Sequence, residues 1–161
     1  MNRRTLAGAG ACLGVLLAAR LWVLEPVMVS SDSMEPTVKA GSLVWLNKAA
    51  PRFGGFHTGQ LVMFSGPDDD QVFNDGMLLK RVVALEGQEV SMRDGVLFVD
   101  GAPVTERFVD QRTIDGVFFG TLTVPADHLF VLGDNRETSI DSRHIGAIPA
   151  SDVLGTVVGA G

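Results

Sequence analysis

The sequence predicts a mostly β protein, an antiparallel-sheet domain carried behind one N-terminal helix. After residue 25 the chain breaks into apolar runs of four to nine residues: "SLVWL", "QLVMF", "MLLKRVVAL", "EVSM", "VLFV", "GTLTV" and "HLFVLG". They are separated by "KAG", "FGGF", "GPDDD", "RDG", "DGAP" and "PAD", and short apolar runs bounded by Gly, Pro and Asp are strand and turn signals. No stretch of the body sustains helical periodicity over three turns, apart from a short piece near residues 151–154. Before residue 25 the apolar character is nearly unbroken.

That first segment, "MNRRTLAGAGACLGVLLAARLWVLEP", has a basic start, an apolar run and a Glu-Pro stop. Residues 5–24 as a helix span roughly 30 Å, one hydrocarbon core. Arg20 lies about a turn from the end, where its long stem carries the charge to the interface, and Trp22 suits the same belt. Arg3 and Arg4 precede the run, so the positive-inside rule assigns residues 1–4 to the cytoplasm and residues 25–161 to the outer side. A cleaved leader ending near "LLAAR" is the rival, and the return of "LWVL" after Arg20 argues for an uncleaved anchor. A lipoprotein site at Cys12 is weaker, because six residues between Thr5 and Cys12 make too short an apolar core. Cys12 is the single cysteine, so no internal disulfide forms and the cysteine count is silent on compartment.

In the body, "EVSMRDGVLFVDGAPV" reads as consecutive hairpins with Asp94-Gly95 and Asp100-Gly101 as their turns. The 161 residues are 46% hydrophobic, enough for one packed domain plus an appendage. Beyond residue 24 there are 10 basic against 19 acidic residues, and a body that acidic does not bind nucleic acid, whose phosphates need Lys and Arg. His57, His128 and His144 are scattered without metal-ligand spacing, so no metal or cofactor is expected. No G-x-S-x-G elbow is present, although composition alone leaves a Ser-His-Asp triad open. "PDDD" at 67–70 reads as a solvated loop. Phe53 and Phe56, in the Gly-rich "RFGGFHTG", are large apolar residues in a loop and are expected to meet lipid.

Ser30, Ser31 and Ser33 crowd into four positions before Pro36, either as a capped turn or around a nucleophile. A serine hydroxyl is a weak nucleophile and needs a base beside it. Of the three lysines, Lys39 and Lys48 sit in turn-like "VKAG" and "NKAA", and only Lys80 lies inside an apolar run. Strand alternation puts Leu78, Val82 and Ala84 on its face, and Leu79, Val83 and Leu85 on the other. A lysine held there is desolvated, its pKa falls, and a neutral amine becomes available, which the guanidinium of Arg81 cannot supply.

"SDSMEPT" at 31–37 resembles the S-x-S-M-x-P-T box of the bacterial type I signal peptidases, membrane-anchored serine proteases with a Ser-Lys dyad. "GQLVMF" at 59–64 resembles the family's G-D-[IV]-V-V-F strand, and "LLKRVVALEGQEV" at 78–90 its K-R-[VI]-[VI]-G-x-P-G-D box. "GDNRETSIDSRHIGAIPASDVLG" at 133–155 is similar to the family's G-D-N-R-x-x-S-x-D-S-R box almost letter for letter. The boxes keep the family's order behind one anchor. Departures fall at Gln60 and Gln88, where Asp is usual, at Ala84 and Glu86, which replace Gly and Pro, and at Ser42.

The resemblance implies a barrel-like catalytic domain over 25–161, with a small β-hairpin insertion within 81–132. It implies Ser33 as nucleophile, Lys80 as base and Ser31 as oxyanion-hole donor. Ser139 would orient the lysine, and Asp141 and Arg143 would brace the 133–136 loop, all three on one face if the chain is extended there. It implies a single-pass protein of the bacterial cytoplasmic membrane, with the lipid bilayer and exported preproteins as partners. Those substrates carry small residues at the first and third positions before the cut. Two other readings stay open: a Ser-Lys peptidase dedicated to one substrate, such as a pilus or conjugation protein, and a membrane-tethered β domain that binds without catalysing.

Overall fold

The structure, a computed structural model, describes residues 23–53, 55–66, 76–109 and 118–159. All but the last two residues of the expected anchor, with Cys12 and the 67–70 loop, lie outside them. Among the described residues no helix is long and apolar enough to cross a membrane.

The body is mostly β and antiparallel. Its strands in chain order are β1 (Leu24–Met28), β2 (Leu43–Asn47), β3 (Leu61–Ser65), β4 (Met77–Leu85), β5 (Glu89–Arg93) and β6 (Val96–Val99). Then come β7 (Ala102–Pro103), β8 (Phe119–Thr123), β9 (His128–Leu132), β10 (Ile148–Pro149) and β11 (Val153–Val158). Among the described residues these strands are joined by short helical pieces: α1 (Ala50–Phe53), α2 (Ser142–Ile145) and a 3₁₀ turn over Ala150–Asp152. Seven strands form one sheet in the order β1-β2-β11-β3-β4-β9-β10, curled as a half-barrel, and four form a smaller sheet in the order β7-β6-β5-β8.

The seven apolar runs all lie on strands, because each could bury at least one face. The two hairpin turns also take the expected form. Asp94 and Gly95 have φ of 47° and 74°, and Asp100 and Gly101 have 52° and 77°. Positive φ at both central residues is what a two-residue turn of matching twist demands.

Long strand β4 joins the two halves. Leu78 and Val82 pack with Val62 and Phe64, as alternation predicts. A bulge between Val82 and Ala84 then shifts the register against β9. Ala84 consequently leaves that face and joins Val83 in the second core, with Val90, Met92 and Phe130. The expectation that Ala84 shares the face of Lys80 is therefore wrong, and so is the one that Leu85 lies on the other face, since Leu85 packs in the core of Leu78 and Val82.

Three strands went unread: the two-residue β10, which pairs with β9, and two longer ones. β1 begins at Leu24, inside the apolar segment assigned to the anchor, and pairs along its length with β2 at the sheet edge. β11 threads between β2 and β3, where Gly155 lets the backbones close: a Cβ there would stand 2.8 Å from the Asn47 carbonyl. The expectation for Phe56 is also corrected. It is half-buried against the core around Val62 and Phe64 rather than free to meet lipid. The side chain of Phe53 lies outside the described residues.

Candidate active site

Ser33 lies in the loop that leaves β1. Val29 N–H donates to the Ser42 carbonyl and Gly41 N–H to that of Val29, which pins the loop at its base. Glu35 N–H donates to Asp32 and Val38 N–H to Met34, winding residues 32–38 into a turn. Met34 and Val38 anchor it in the core at 0% and 3% exposure. The serines thus do form a turn, but not an ordinary wet one: Ser30 and Ser31 are exposed while Ser33 is buried.

Lys80 reaches the same point from β4, opposite Val62 of β3. Its side chain is 2% exposed, and Nζ lies 2.9 Å from Ser33 Oγ and 3.0 Å from the Leu79 carbonyl oxygen. Burial pushes the ammonium down from its ordinary value to about 8, against the opposing pull of Asp141 and Asp134. A buried lysine keeps most of its desolvation penalty when the nearest carboxylates are already committed to arginines, as both are here. Ser31 Oγ lies 3.1 Å from Ser33 Oγ, on the rim of the site.

The 133–145 segment closes the site from below. Asn135 N–H donates to the Ser33 carbonyl at 3.1 Å, tying this segment to the serine loop. Asp141 is wholly buried: one carboxylate oxygen accepts from Gly133 N–H at 3.0 Å, and the other accepts from Arg143 Nε at 2.8 Å. The extended conformation considered for residues 139–143 is not found. Asp141 is the N-cap of α2, and Arg143 folds back onto that cap and onto the Ser139 carbonyl. Ser139 is 2% exposed, and its buried hydroxyl has no hydrogen-bond partner among the described residues. Gly133 runs so close beneath it that a Cβ there would overlap Ser139 and come 2.6 Å from the Ser33 carbonyl.

Residues 3–160 match the profile of a family described as signal peptidase, peptidase S26. This chain belongs to that family. It is 35% identical over 141 residues to signal peptidase I V of Bacillus subtilis, covering 80% of each chain. It is 34% identical over 149 residues to a probable signal peptidase I-1 of Synechocystis, covering 89% of this chain and 74% of that one. In fold it is similar to the crystal structure of a signal peptidase I from Enterococcus faecalis, with a TM-score of 0.53 and 29% identity, over 65% of this chain and 97% of that one.

The departures from the signal peptidase pattern are accommodated by turns. Gln88 Oε1 accepts from Leu85 N–H at 2.9 Å and its Nε2 donates to Asp100, closing the link from β4 to β5. Glu86 Oε2 accepts from Asp127 N–H at 2.8 Å. Gln60 accepts from His57 N–H in the turn before β3.

Several side chains around Ser33 and Lys80 escaped sequence reasoning. Arg81, next to Lys80, makes a two-point ion pair with Asp134 at 2.8 and 2.6 Å and donates to the Gly59 carbonyl. Its guanidinium also lies 3.9 Å over the ring of Phe108. Arg136 is buried and paired at two points with buried Glu106, at 2.8 and 2.6 Å, while its Nε donates to the Gly133 carbonyl. The 106–108 segment, which follows β7, therefore grips both arginines beside the site. Alternation could have placed Arg81 opposite the lysine's face. Nothing local marks Glu106.

Proposed function

We propose that the chain is a membrane-anchored serine endopeptidase that removes signal peptides from exported preproteins through Ser33 and Lys80. The observation that carries this reading is a buried amine, held near pKa 8, standing 2.9 Å from a serine hydroxyl. Neutral Lys80 takes the Ser33 proton as Oγ attacks the scissile carbonyl. The resulting oxyanion accepts from Ser33 N–H and the Ser31 hydroxyl. Lys80 then returns the proton to the leaving amine, and in the second half activates the water that releases the acyl group. Ser139 has an uncommitted hydroxyl with which to hold the Lys80 amine during these transfers. Asp141 and Arg143 keep Gly133 in place beneath.

β1 supports the substrate mode. It is an edge strand of the large sheet and leads directly to the nucleophile. An extended preprotein segment can add beside residues 26–30, with the small residues at the first and third positions before the cut turned into shallow pockets. Residues 5–24 would cross the cytoplasmic membrane once, leaving the catalytic body outside and at the surface where its substrates emerge.

The test is cleavage of a preprotein panel by the purified full chain in detergent, with cut sites read by mass spectrometry. Cuts after small residues across many preproteins are expected. Cuts in a single substrate would mark a dedicated peptidase, and none at all a binding domain.

A further inference from the structure

Lys48 and Arg52 line a cleft that the proposed chemistry does not use. It has a volume of about 770 Å³ and lies between the end of β2, α1 and the turn into β11. Val23, Pro51, Val153 and Leu154 give it an apolar wall, and among the described residues these two cations are the only charged side chains lining it. Lys48 Nζ is 2.7 Å from Glu25, an ion pair in which both side chains are about half exposed. Among the described residues Arg52 has no carboxylate within ion-pair distance. In a body with 10 basic and 19 acidic residues beyond position 24, a cleft whose charged lining among the described residues is cationic is a selective place for an anion.

We propose that this cleft binds the phosphate headgroup of an anionic phospholipid, at the surface from which the chain emerges. The inference rests on the reading that residues 5–24 cross a membrane. Val23 lines the cleft and is the next-to-last residue of that segment, so the cleft opens where the chain leaves the lipid. The Arg52 fork suits two phosphate oxygens and Lys48 adds a point charge. The apolar wall takes the glycerol backbone and the first acyl carbons, which a free phosphate does not possess. Glu25 competes with the headgroup for Lys48.

The full chain in a non-ionic detergent is titrated with phosphatidylglycerol or phosphatidylcholine, and bound lipid is counted by native mass spectrometry. Phosphatidylglycerol should be retained in preference, and each cation removed, as in Lys48→Gln and Arg52→Gln, should weaken its retention about five-fold. Phosphatidylcholine adducts should not change. Glu25→Gln should raise phosphatidylglycerol retention by freeing Lys48. Equal retention of the two lipids would overturn the proposal. So would undiminished phosphatidylglycerol adducts in the double variant, or their displacement by millimolar inorganic phosphate, which would mark a site for the free anion. Alkaline extraction of the full chain from vesicles tests the span by itself: release would remove the span, while the adduct counts in detergent would still decide the cleft.

Discussion

Lys80 Nζ and Ser33 Oγ stand 2.9 Å apart although 47 residues separate them in the chain. The turn that carries the serine and the strand that carries the lysine share a core through Met34, Val38 and Leu79, and the 133–145 segment is bonded to both through Asn135 and Asp134. Ser33→Ala and Lys80→Ala should each abolish preprotein cleavage in a folded protein. Lys80→Arg should not restore it, since a permanent cation cannot accept a proton. His57, His128 and His144, replaced singly by Ala, should leave turnover within a small factor. An essential histidine with a dispensable Lys80 is the opposite pattern and would falsify the dyad.

The pH dependence has a definite sign. The amine titrates near 8 in the folded protein and near 10.5 when solvated. Below pH 8 both states hold the proton, and burying the cation costs folding up to about 3 kcal/mol. Between pH 8 and 10.5 the unfolded chain binds more protons than the native one, so stability rises through that window. Lys80→Met should therefore be inactive yet more stable than the parent at pH 7, with the advantage fading toward pH 10.5. Urea unfolding at pH 7 and pH 10 measures this, and a gap that does not change with pH counts against it. The acid limb of kcat/KM should fall near pH 8.

Ser139 separates position from stability. Its hydroxyl has no partner among the described residues, so Ser139→Ala should change unfolding free energy by no more than about 1 kcal/mol. If the hydroxyl steers the lysine, kcat should drop about 100-fold at unchanged fold. A drop in stability with normal kcat would remove the steering role. Gly133→Ala, one residue type larger, should be worse on both counts, because the added methyl meets Ser139 and the Ser33 carbonyl.

Glu106 should matter although it is remote in sequence from every family box. Glu106→Ala strands the buried guanidinium of Arg136 and should cost about 3–5 kcal/mol by chemical denaturation. Glu106→Leu with Arg136→Met should recover much of that stability. Recovery of stability without recovery of cleavage would show that the pair holds Gly133 as well as the fold.

What was legible in the sequence follows from how local each signal is. The bounds of β4 were readable, since its nine residues are apolar apart from Lys80 and Arg81 and lie between Gly76 and Glu86. Lys80 stood out because it is the lysine no turn surrounds. The bulge after Val82 was not readable, because it answers to the register of β9 and not to β4 itself. β1 hid within the apolar stretch that precedes it, and β11 hid behind Gly155, whose small size serves Leu46 and Asn47 across the sheet. Asp141 had the side chain of a helix cap, but α2 is four residues long and too short to show a period. Glu106 and Arg136 are each ordinary charged residues until the two sheets bring them together.

β1 begins at Leu24, and Ser33 follows nine residues later. A chain extends by at most about 3.3–3.6 Å per residue, so Ser33 can rise no more than about 30 Å above the end of the apolar segment. Pairing with β2 along five residues turns half of that tether into a rod. On the reading that the segment spans a membrane, the enzyme works at a fixed altitude. A bond with acceptable neighbours but held farther from the bilayer is out of range, whatever its sequence, and a folded domain already exported is spared by height alone.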